Sequence, residues 1–239
     1  KKKATLFGLN FAIPAIRAAQ LFIVTEGYLD VISSHQRDVG IVVGTMGTAI
    51  TLAHARLLHN YAQNDLLLMD NDLAGIRAAK KGARTLFEAG CTPTIGIIPA
   101  GKDLDELVKT SPDPHAAVAQ IERLSLAQFY LRSARNPTGA DEKNRVLEEI
   151  IQSLEIEPDI CRKILHMQEA AGELGVPMQA VEEKYLKELH RSRHDRGNNY
   201  SLEEIGTIFV ANLLTFPHDY RRLFFDIDPD NPFFTPAIR

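Results

Sequence analysis

Short apolar runs and amphipathic segments alternate along the first 110 residues. Aliphatic and β-branched residues dominate four of the runs, which predicts four β-strands. These runs span residues 21–26, 40–44, 65–70 and 92–99. Residues 50–63 and 73–90 have the apolar spacing of helices, and Gly90 ends the second of them. Strands that alternate with helices predict an α/β fold, a mainly parallel sheet flanked by helices.

The pattern changes near residue 111. The segment SPDPH (111–115) interrupts it, and the sequence beyond shows no strand signal. Apolar spacing there predicts an all-α helical bundle. The expected helices lie near 116–134, 142–154, 157–172, 177–190 and 202–215.

The organisation that follows has three parts. Residues 1–110 are predicted to form the α/β subdomain and residues 111–190 the helical bundle. Residues 191–239 are predicted to hold a linker and the possible start of another helical domain. The linker is RSRHDRGNN (191–199), which is polar and lacks apolar anchors. No structure is assigned to the proline- and phenylalanine-rich residues 217–239.

Composition narrows the class of protein. The chain has 239 residues, 45% of them hydrophobic, which is enough for a sizeable core. No apolar run approaches the ~20 residues of a membrane span, and no signal-peptide core follows the first three lysines, so we expect a cytoplasmic protein. Cys91 and Cys161 lack metal-ligand spacing; we expect two buried thiols and no zinc.

The formal charge of −4 hides an asymmetry between the two halves. Residues 1–110 carry 12 Lys and Arg against 10 Asp and Glu, whereas residues 111–239 carry 15 against 21. Affinity for phosphates depends on local cationic patches rather than on the total charge. The first half therefore remains a candidate for binding nucleic acid.

Pairs of carboxylates stand at or shortly after the ends of three predicted strands. The pairs are Glu26 and Asp30, Asp70 and Asp72, and Asp103 and Asp105. Because the carboxyl ends of parallel strands open on one crevice, we expect these side chains to meet. Clustered carboxylates repel one another unless a cation lies among them, and oxygen ligands suit Mg²⁺ or Mn²⁺.

Each acid also has a purely structural interpretation. Asp72 could cap the helix that begins near Leu73, and Glu26 could be an ordinary loop residue. The order of the motifs favours a site: E-G-Y-x-D follows one strand, G-T-A lies between, D-x-D-x-A-G follows another strand, and D-x-D follows a third.

Four segments resemble, in their order and spacing, the Toprim core of bacterial DNA primases. They are VTEGYLDVISSHQ, GTMGTAITLAHARLL, LMDNDLAGIRAAKKGA and IPAGKDLDELV. The segments before and after these motifs extend the resemblance to about residues 2–190. It implies the C-terminal part of the catalytic core of a Toprim-containing RNA polymerase. Two divalent ions would join ribonucleotides on a DNA template.

The resemblance assigns roles to individual residues. Glu26, Asp70 and Asp72 would be catalytic. The same three, with Asp103 and Asp105, would bind the metal. The candidates for nucleotide or template binding are Lys2, Asp30, Gly47, Thr48, Arg77, Lys80, Lys81 and Lys102. An alternative for Lys80 and Lys81 is a solvated helix face.

The sequence departs from the family pattern at some positions. Asn71 and Leu73 stand where these primases commonly have glycine and a cationic residue, and Lys102 could replace the lost charge. A Cys/His zinc module and the basic amino-terminal half of the polymerase domain are also missing from the sequence. We therefore expect a fragment that is inactive in isolation.

Several functions remain open. The resemblance implies synthesis of short RNA primers for DNA replication. Its partners would be single-stranded DNA template, ribonucleoside triphosphates and, in the full-length protein, the replicative helicase and the single-strand-binding protein. The alternatives are strand cleavage, as in Toprim nucleases and topoisomerases, and a non-catalytic Toprim module for DNA binding in recombination or repair.

Overall fold

A computed structural model of the chain describes residues 4–47, 49–69, 72–98, 103–134, 137–157 and 159–196. The strands are β1 Leu21–Thr25, β2 Val42–Gly44, β3 Asn64–Leu68, β4 Thr92–Ile97 and β5 Glu122–Leu124. The helices are α1 Leu9–Ala19, α2 Tyr28–Gln36, α3 Leu52–His59, α4 Leu73–Glu88, α5 Leu104–Thr110, α6 Pro114–Ala119, α7 Leu126–Ser133, α8 Ala140–Leu154, α9 Ile160–Leu174 and α10 Met178–Arg196.

The five strands form one sheet in the order β2-β1-β3-β4-β5. Strands β1 to β4 are parallel, and β5 runs antiparallel to β4 at the edge. Thr25, at the end of β1, lies opposite Gly44 of β2 and Leu68 of β3. Three strands thus end side by side. The predicted mainly parallel sheet flanked by helices is confirmed.

A buried apolar cluster fixes the helices on one face of this sheet. It joins strand residues such as Ile23 and Leu66 to Val31 of α2 and to Leu104 and Val108 of α5. Since Asp30 precedes Val31 and Asp103 precedes Leu104, this packing also fixes the backbone that carries two of the predicted site residues. Burial of aliphatic side chains here is the main favourable term, about 25 cal/mol per Å² of apolar area.

The expectation of a single helix over residues 116–134 was wrong. The helix predicted over 116–134 is divided into α6, β5 and α7, because the three residues Glu122–Leu124 pair with β4. A strand of this length is too short to show a periodic pattern. Residues up to Leu189 belong to one compact unit. The division at residue 110 into two subdomains remains a proposal.

The predicted linker 191–199 is helical as far as Arg196, because α10 continues to that residue. Its sequence lacks apolar anchors, but no glycine or proline occurs between Pro177 and Gly197 to stop the helix. Residues 197–199 and the helix expected at 202–215 lie outside the described residues.

Cys91 is buried as predicted, whereas Cys161 is exposed on α9. No helix in the described part of the chain is long and apolar enough to cross a membrane.

Gly96 of β4 lies at a tightly packed position of the sheet. A Cβ at this position would lie 2.1 Å from Leu68 Cδ2, 3.1 Å from Ile121 Cγ2 and 3.2 Å from Leu66 Cδ1. Gly96→Ala should therefore lower the free energy of unfolding by about 1–3 kcal/mol, measured by urea denaturation.

The matched control is Gly172→Ala on α9, where an added Cβ meets no atom within 4 Å. Alanine favours the helix there, so this variant should be more stable by up to about 1 kcal/mol. Equal effects of the two substitutions would contradict the packing described for β4.

Candidate functional site

A hollow opens at the carboxyl end of β1. We call it the carboxylate hollow; it is lined by Phe7, Glu26, Gly27, Tyr28, Asp30, Met46, Gly47 and Asp103. It brings together three of the predicted carboxylates, Glu26, Asp30 and Asp103, with Gly47. Glu26 follows β1, Asp30 lies in α2, Gly47 follows β2 and Asp103 caps α5. Four elements of the fold thus contribute to the hollow. Asp70 and Thr48 lie outside the described residues.

The segment after β2 is tied to the end of β1 by backbone hydrogen bonds. Thr45 N–H donates to the Thr25 carbonyl at 3.0 Å, and Gly47 N–H donates to the Glu26 carbonyl at 3.1 Å. Met46 and Gly47 both have positive φ, 58° and 70°. A glycine suits this left-handed turn, which holds the segment beside Glu26.

Asp72 and Asp103 are both N-caps. Asp72 Oδ1 accepts from Gly75 N–H at 2.7 Å at the start of α4, and Asp103 Oδ1 accepts from Glu106 N–H at 2.7 Å at the start of α5. These bonds satisfy backbone donors that a helix leaves unpaired. Both side chains are exposed. In each, Oδ2 makes no hydrogen bond to the described residues, so it is available to a ligand.

Asp105 has a different environment from Asp103. Its carboxylate accepts hydrogen bonds from Lys109 Nζ, at 2.7 Å, and from Ser33 Oγ of α2. The bond from Lys109 and then that from Ser33 lower the pKa of Asp105. Its own N–H donates to Asp30 Oδ1 at 3.1 Å. Asp105 thus joins α2 to α5 and, unlike Asp103, does not line the carboxylate hollow.

The carboxylate oxygens of the hollow are ligands of the type that a hard divalent cation prefers. In the described part of the chain, however, they do not form a complete metal site. Glu26, Asp30 and Asp103 offer the oxygen ligands that Mg²⁺ and Mn²⁺ prefer. Within the described ranges, however, no three His, Cys, Asp or Glu side chains are grouped closely enough to hold a metal ion. Asp70, one of the predicted ligands, is not included in those ranges.

The predicted phosphate-binding cations of α4 line a second hollow. We call it the α4 hollow; it is lined by Arg77, Lys80, Lys81, Arg84, Thr85, Glu88, Tyr130 and Ile156. It shares no residue with the carboxylate hollow. The structure thus does not bring Arg77, Lys80 and Lys81 to Glu26. Lys2 and Lys102 lie outside the described residues.

Lys80 connects α4 to the helices that follow the sheet. Its Nζ lies 2.6 Å from Glu149 Oε2 of α8 and 4.2 Å from the centre of the Tyr130 ring of α7. Tyr130 is buried, and its hydroxyl lies 2.6 Å from Ser153 Oγ. Lys80 therefore has a structural role that the prediction of a phosphate ligand missed.

Two aromatic residues that line the carboxylate hollow, Phe7 and Tyr28, were not predicted as part of the site. Phe7 and Tyr28 pack edge to face, with ring centres 6.3 Å apart, and Tyr28 remains 57% exposed. Tyr28 directly follows Glu26 and Gly27 in the sequence, which could have suggested its place. No sequence signal pointed to Phe7 or Met46.

This chain is similar to known proteins in both sequence and fold. Residues 23–108 match the family described as Toprim-like. Over 216 residues the chain is 32% identical to a DNA primase of Clostridium acetobutylicum, covering 89% of this chain and 35% of that protein. This chain is therefore similar to bacterial DNA primases over most of its length and contains a Toprim-like segment. It spans about a third of the length of the curated primases it matches.

Solved structures of primases have the same fold. The zinc-binding and RNA polymerase domains of the Aquifex aeolicus primase match with a TM-score of 0.61 at 27% identity, over 76% of this chain and 44% of that one. A DnaG primase catalytic domain bound to single-stranded DNA matches with a TM-score of 0.62 at 26% identity, over 74% and 57%. The sheet and the site elements described above lie within a primase-type Toprim fold.

The role of Asp105 predicts a pH dependence. Because its pKa is lowered in the folded state, the ionised carboxylate stabilises the fold above its ordinary pKa of 3.8, and this contribution is lost as the pH falls through the folded-state pKa. Asp105→Asn should lower the free energy of unfolding by about 1 kcal/mol at pH 7, with a difference from wild type that disappears in acid. Urea denaturation at several pH values measures this difference.

The control is Glu106→Gln, which removes a neighbouring exposed carboxylate on α5. It should change stability by less than about 0.5 kcal/mol at pH 7. A difference for Asp105→Asn that persisted unchanged at pH 2 would contradict the proposed ionic contribution.

A second prediction concerns Lys80. Lys80→Gln removes the ion pair with Glu149 and the contact with the Tyr130 ring, and should cost about 1–2 kcal/mol of stability. Lys81→Gln changes an exposed neighbour on the same helix and should cost less than about 0.5 kcal/mol. Thermal and urea unfolding of the two variants test the difference; equal stability would show that Lys80 does not anchor α4.

Proposed function

We propose that this chain is the Toprim part of a DNA primase, and that the full-length protein synthesises short RNA primers on a DNA template. The observation that carries the proposal is the convergence of Glu26, Asp30 and Asp103 in one hollow at the carboxyl end of the sheet. This convergence occurs in a chain that is 32% identical to a DNA primase over 216 residues. Together with Asp70, these carboxylates would supply the oxygen ligands for phosphoryl transfer assisted by divalent cations.

The residues have distinct parts in this proposal. Glu26, Asp70, Asp72 and Asp103 would hold Mg²⁺ or Mn²⁺, which, when bound, would neutralise charge on the triphosphate and make the primer 3′ hydroxyl more acidic. Asp72 and Asp103 use Oδ1 to cap their helices, which fixes the direction of Oδ2. Asp30 is held by Asp105 N–H at the edge of the group. Glu26 is the candidate acid or base for moving a proton.

The proposed substrates and partners follow from this function. The template would be single-stranded DNA, as the DnaG catalytic domain matched above is bound to single-stranded DNA. Ribonucleoside triphosphates would be the second substrate. In the full-length protein, the replicative helicase and the single-strand-binding protein would be partners in DNA replication.

The relatives and structures described above are primases, which favours primer synthesis over the two alternatives. A topoisomerase needs a nucleophilic tyrosine. Tyr28 lines the hollow, but its ring packs edge-on against Phe7. A non-catalytic Toprim module would have no need to bring several carboxylates to one hollow.

The metal site can be tested without the rest of the enzyme. Asp70→Asn combined with Asp72→Asn should abolish Mn²⁺ binding, measured by electron paramagnetic resonance titration, because neutral amides bind the cation far more weakly. Asparagine is as good an N-cap as aspartate, so α4 should remain folded. Glu26→Gln should weaken binding in the same titration.

Asp113→Asn is the matched control. Asp113 is an exposed N-cap of α6 that accepts from Ala116 N–H at 3.0 Å and does not line the carboxylate hollow. It should bind Mn²⁺ as wild type does. An unchanged titration in the Asp70/Asp72 double variant would refute the metal assignment.

The isolated chain should make little or no primer. Two-metal transfer requires template and triphosphate to be held in line, and a misplacement of about 1 Å can cost ~100-fold in rate. The chain spans about a third of the length of its primase relatives, so most of their surface is outside it. Template-dependent RNA dinucleotides formed by the purified chain, at levels near those of a full-length primase, would contradict this expectation.

A further inference from the structure

The α4 hollow holds a local excess of positive charge. Four cations line it, Arg77, Lys80, Lys81 and Arg84, against one lining acid, Glu88. Glu149 neutralises Lys80, so the excess that remains is about two charges. The protein as a whole has a formal charge of −4, so this surface is unusual for the chain. A cationic hollow on an acidic protein favours an anionic ligand.

Three of these cations are available to such a ligand. Arg77, Lys81 and Arg84 are exposed, and none of them forms an ion pair with an acid among the described residues. Arg77 Nε donates to the Leu73 carbonyl at 3.0 Å, which leaves the terminal nitrogens of its guanidinium for a ligand. Lys80 differs, since its charge is used within the protein.

Their spacing suits a chain of phosphates. At a rise of about 1.5 Å per residue, Lys81 lies about 6 Å along the helix from Arg77, and Arg84 about 4.5 Å farther. Positions i, i+4 and i+7 share one face of a helix. The three cations therefore form a track about 10 Å long, the length of about three nucleotides at the ~3.4 Å rise of one strand in duplex DNA.

The track leads away from the carboxylates. Along the axis of α4, Arg77 lies about 7.5 Å from Asp72 and Arg84 about 18 Å from it. The two hollows share no residue. This arrangement fits a strand that passes the carboxylate hollow and continues along α4 better than it fits a triphosphate confined to the carboxylates.

We propose that Arg77, Lys81 and Arg84 bind the sugar-phosphate backbone of single-stranded DNA without selecting a base sequence. The inference deepens the proposed function, on which it rests for the choice of a DNA strand as the ligand. The one aromatic ring in the α4 hollow, Tyr130, is 4% exposed and lies beneath Lys80. It is therefore closed to base stacking, and binding depends on phosphate contacts and on salt.

The test measures binding of the complete chain to fluorescent oligo-dT by anisotropy over a range of salt concentrations. Each lost phosphate contact reduces the slope of log K against log salt by about 0.7 for a single strand. Arg77→Gln, Lys81→Gln and Arg84→Gln together should reduce the slope by about 2 and weaken binding at low salt by at least about tenfold. Each single variant should reduce the slope by about 0.7.

The matched control removes three exposed cations elsewhere on the protein. Arg123→Gln, Lys187→Gln and Arg191→Gln together change the net charge by the same amount, and these residues do not line the α4 hollow. The control should retain the wild-type slope. An equal loss in the control, or no loss in the α4 variant, would overturn the proposal.

Two further measurements separate the possible outcomes. If inorganic triphosphate displaces oligo-dT from the wild-type chain at equal phosphate concentration, the site is one for free phosphates and the proposal is overturned. Mn²⁺ titration of the α4 variant should match wild type, which also shows that the protein is folded. If wild type fails to bind Mn²⁺ but its DNA binding depends on the three cations, the metal assignment fails and this inference stands.

Discussion

The parallel pairing of β1 with β2 and β3 is the constraint on which the site depends. Thr25 lies opposite Gly44 and Leu68, so the three strands end at one edge. A slip of one residue would turn Glu26 toward the other face and separate it from Gly47. The buried strand residues, such as Ile23 and Leu66, prevent this slip because it would expose their side chains. Apolar packing therefore fixes where the carboxylates lie, although none of its atoms takes part in the chemistry.

Helix capping also helps to fix the positions of two of the carboxylates, Asp72 and Asp103. Asp72 and Asp103 each give one carboxylate oxygen to a backbone N–H and keep the other for a ligand. A residue that starts a helix is held more rigidly than one on a free loop, so the same hydrogen bond both stabilises the helix and orients the site. The structural and the functional interpretation of Asp72 are compatible for this reason.

Most of the sheet could be predicted from the sequence because four strands are runs of buried aliphatic residues between helical segments. The position of Glu26 could also be predicted, because this residue directly follows one of these runs. Asp105 does not line the hollow with Asp103, because Asp103 precedes α5 while Asp105 lies within it, and residues two apart on a helix point in nearly opposite directions. Strand β5 and the contact of Lys80 with Glu149 depend on tertiary pairing, which leaves no periodic signal in the sequence.

The separation of acids from cations is itself informative. Carboxylates and cationic groups placed within about 4 Å pair with one another, and then neither is available to a ligand, as Lys80 and Glu149 illustrate. In this fold the carboxylates gather at the end of the sheet, while Arg77, Lys81 and Arg84 lie along α4, beyond the N-cap that starts it. One helix thus begins at a carboxylate suited to metal ions and continues with cations suited to phosphates. In the proposed function, metal ions held by the carboxylates and the cations of α4 would act on one extended anionic ligand, and α4 would keep the two sets of groups in order and apart.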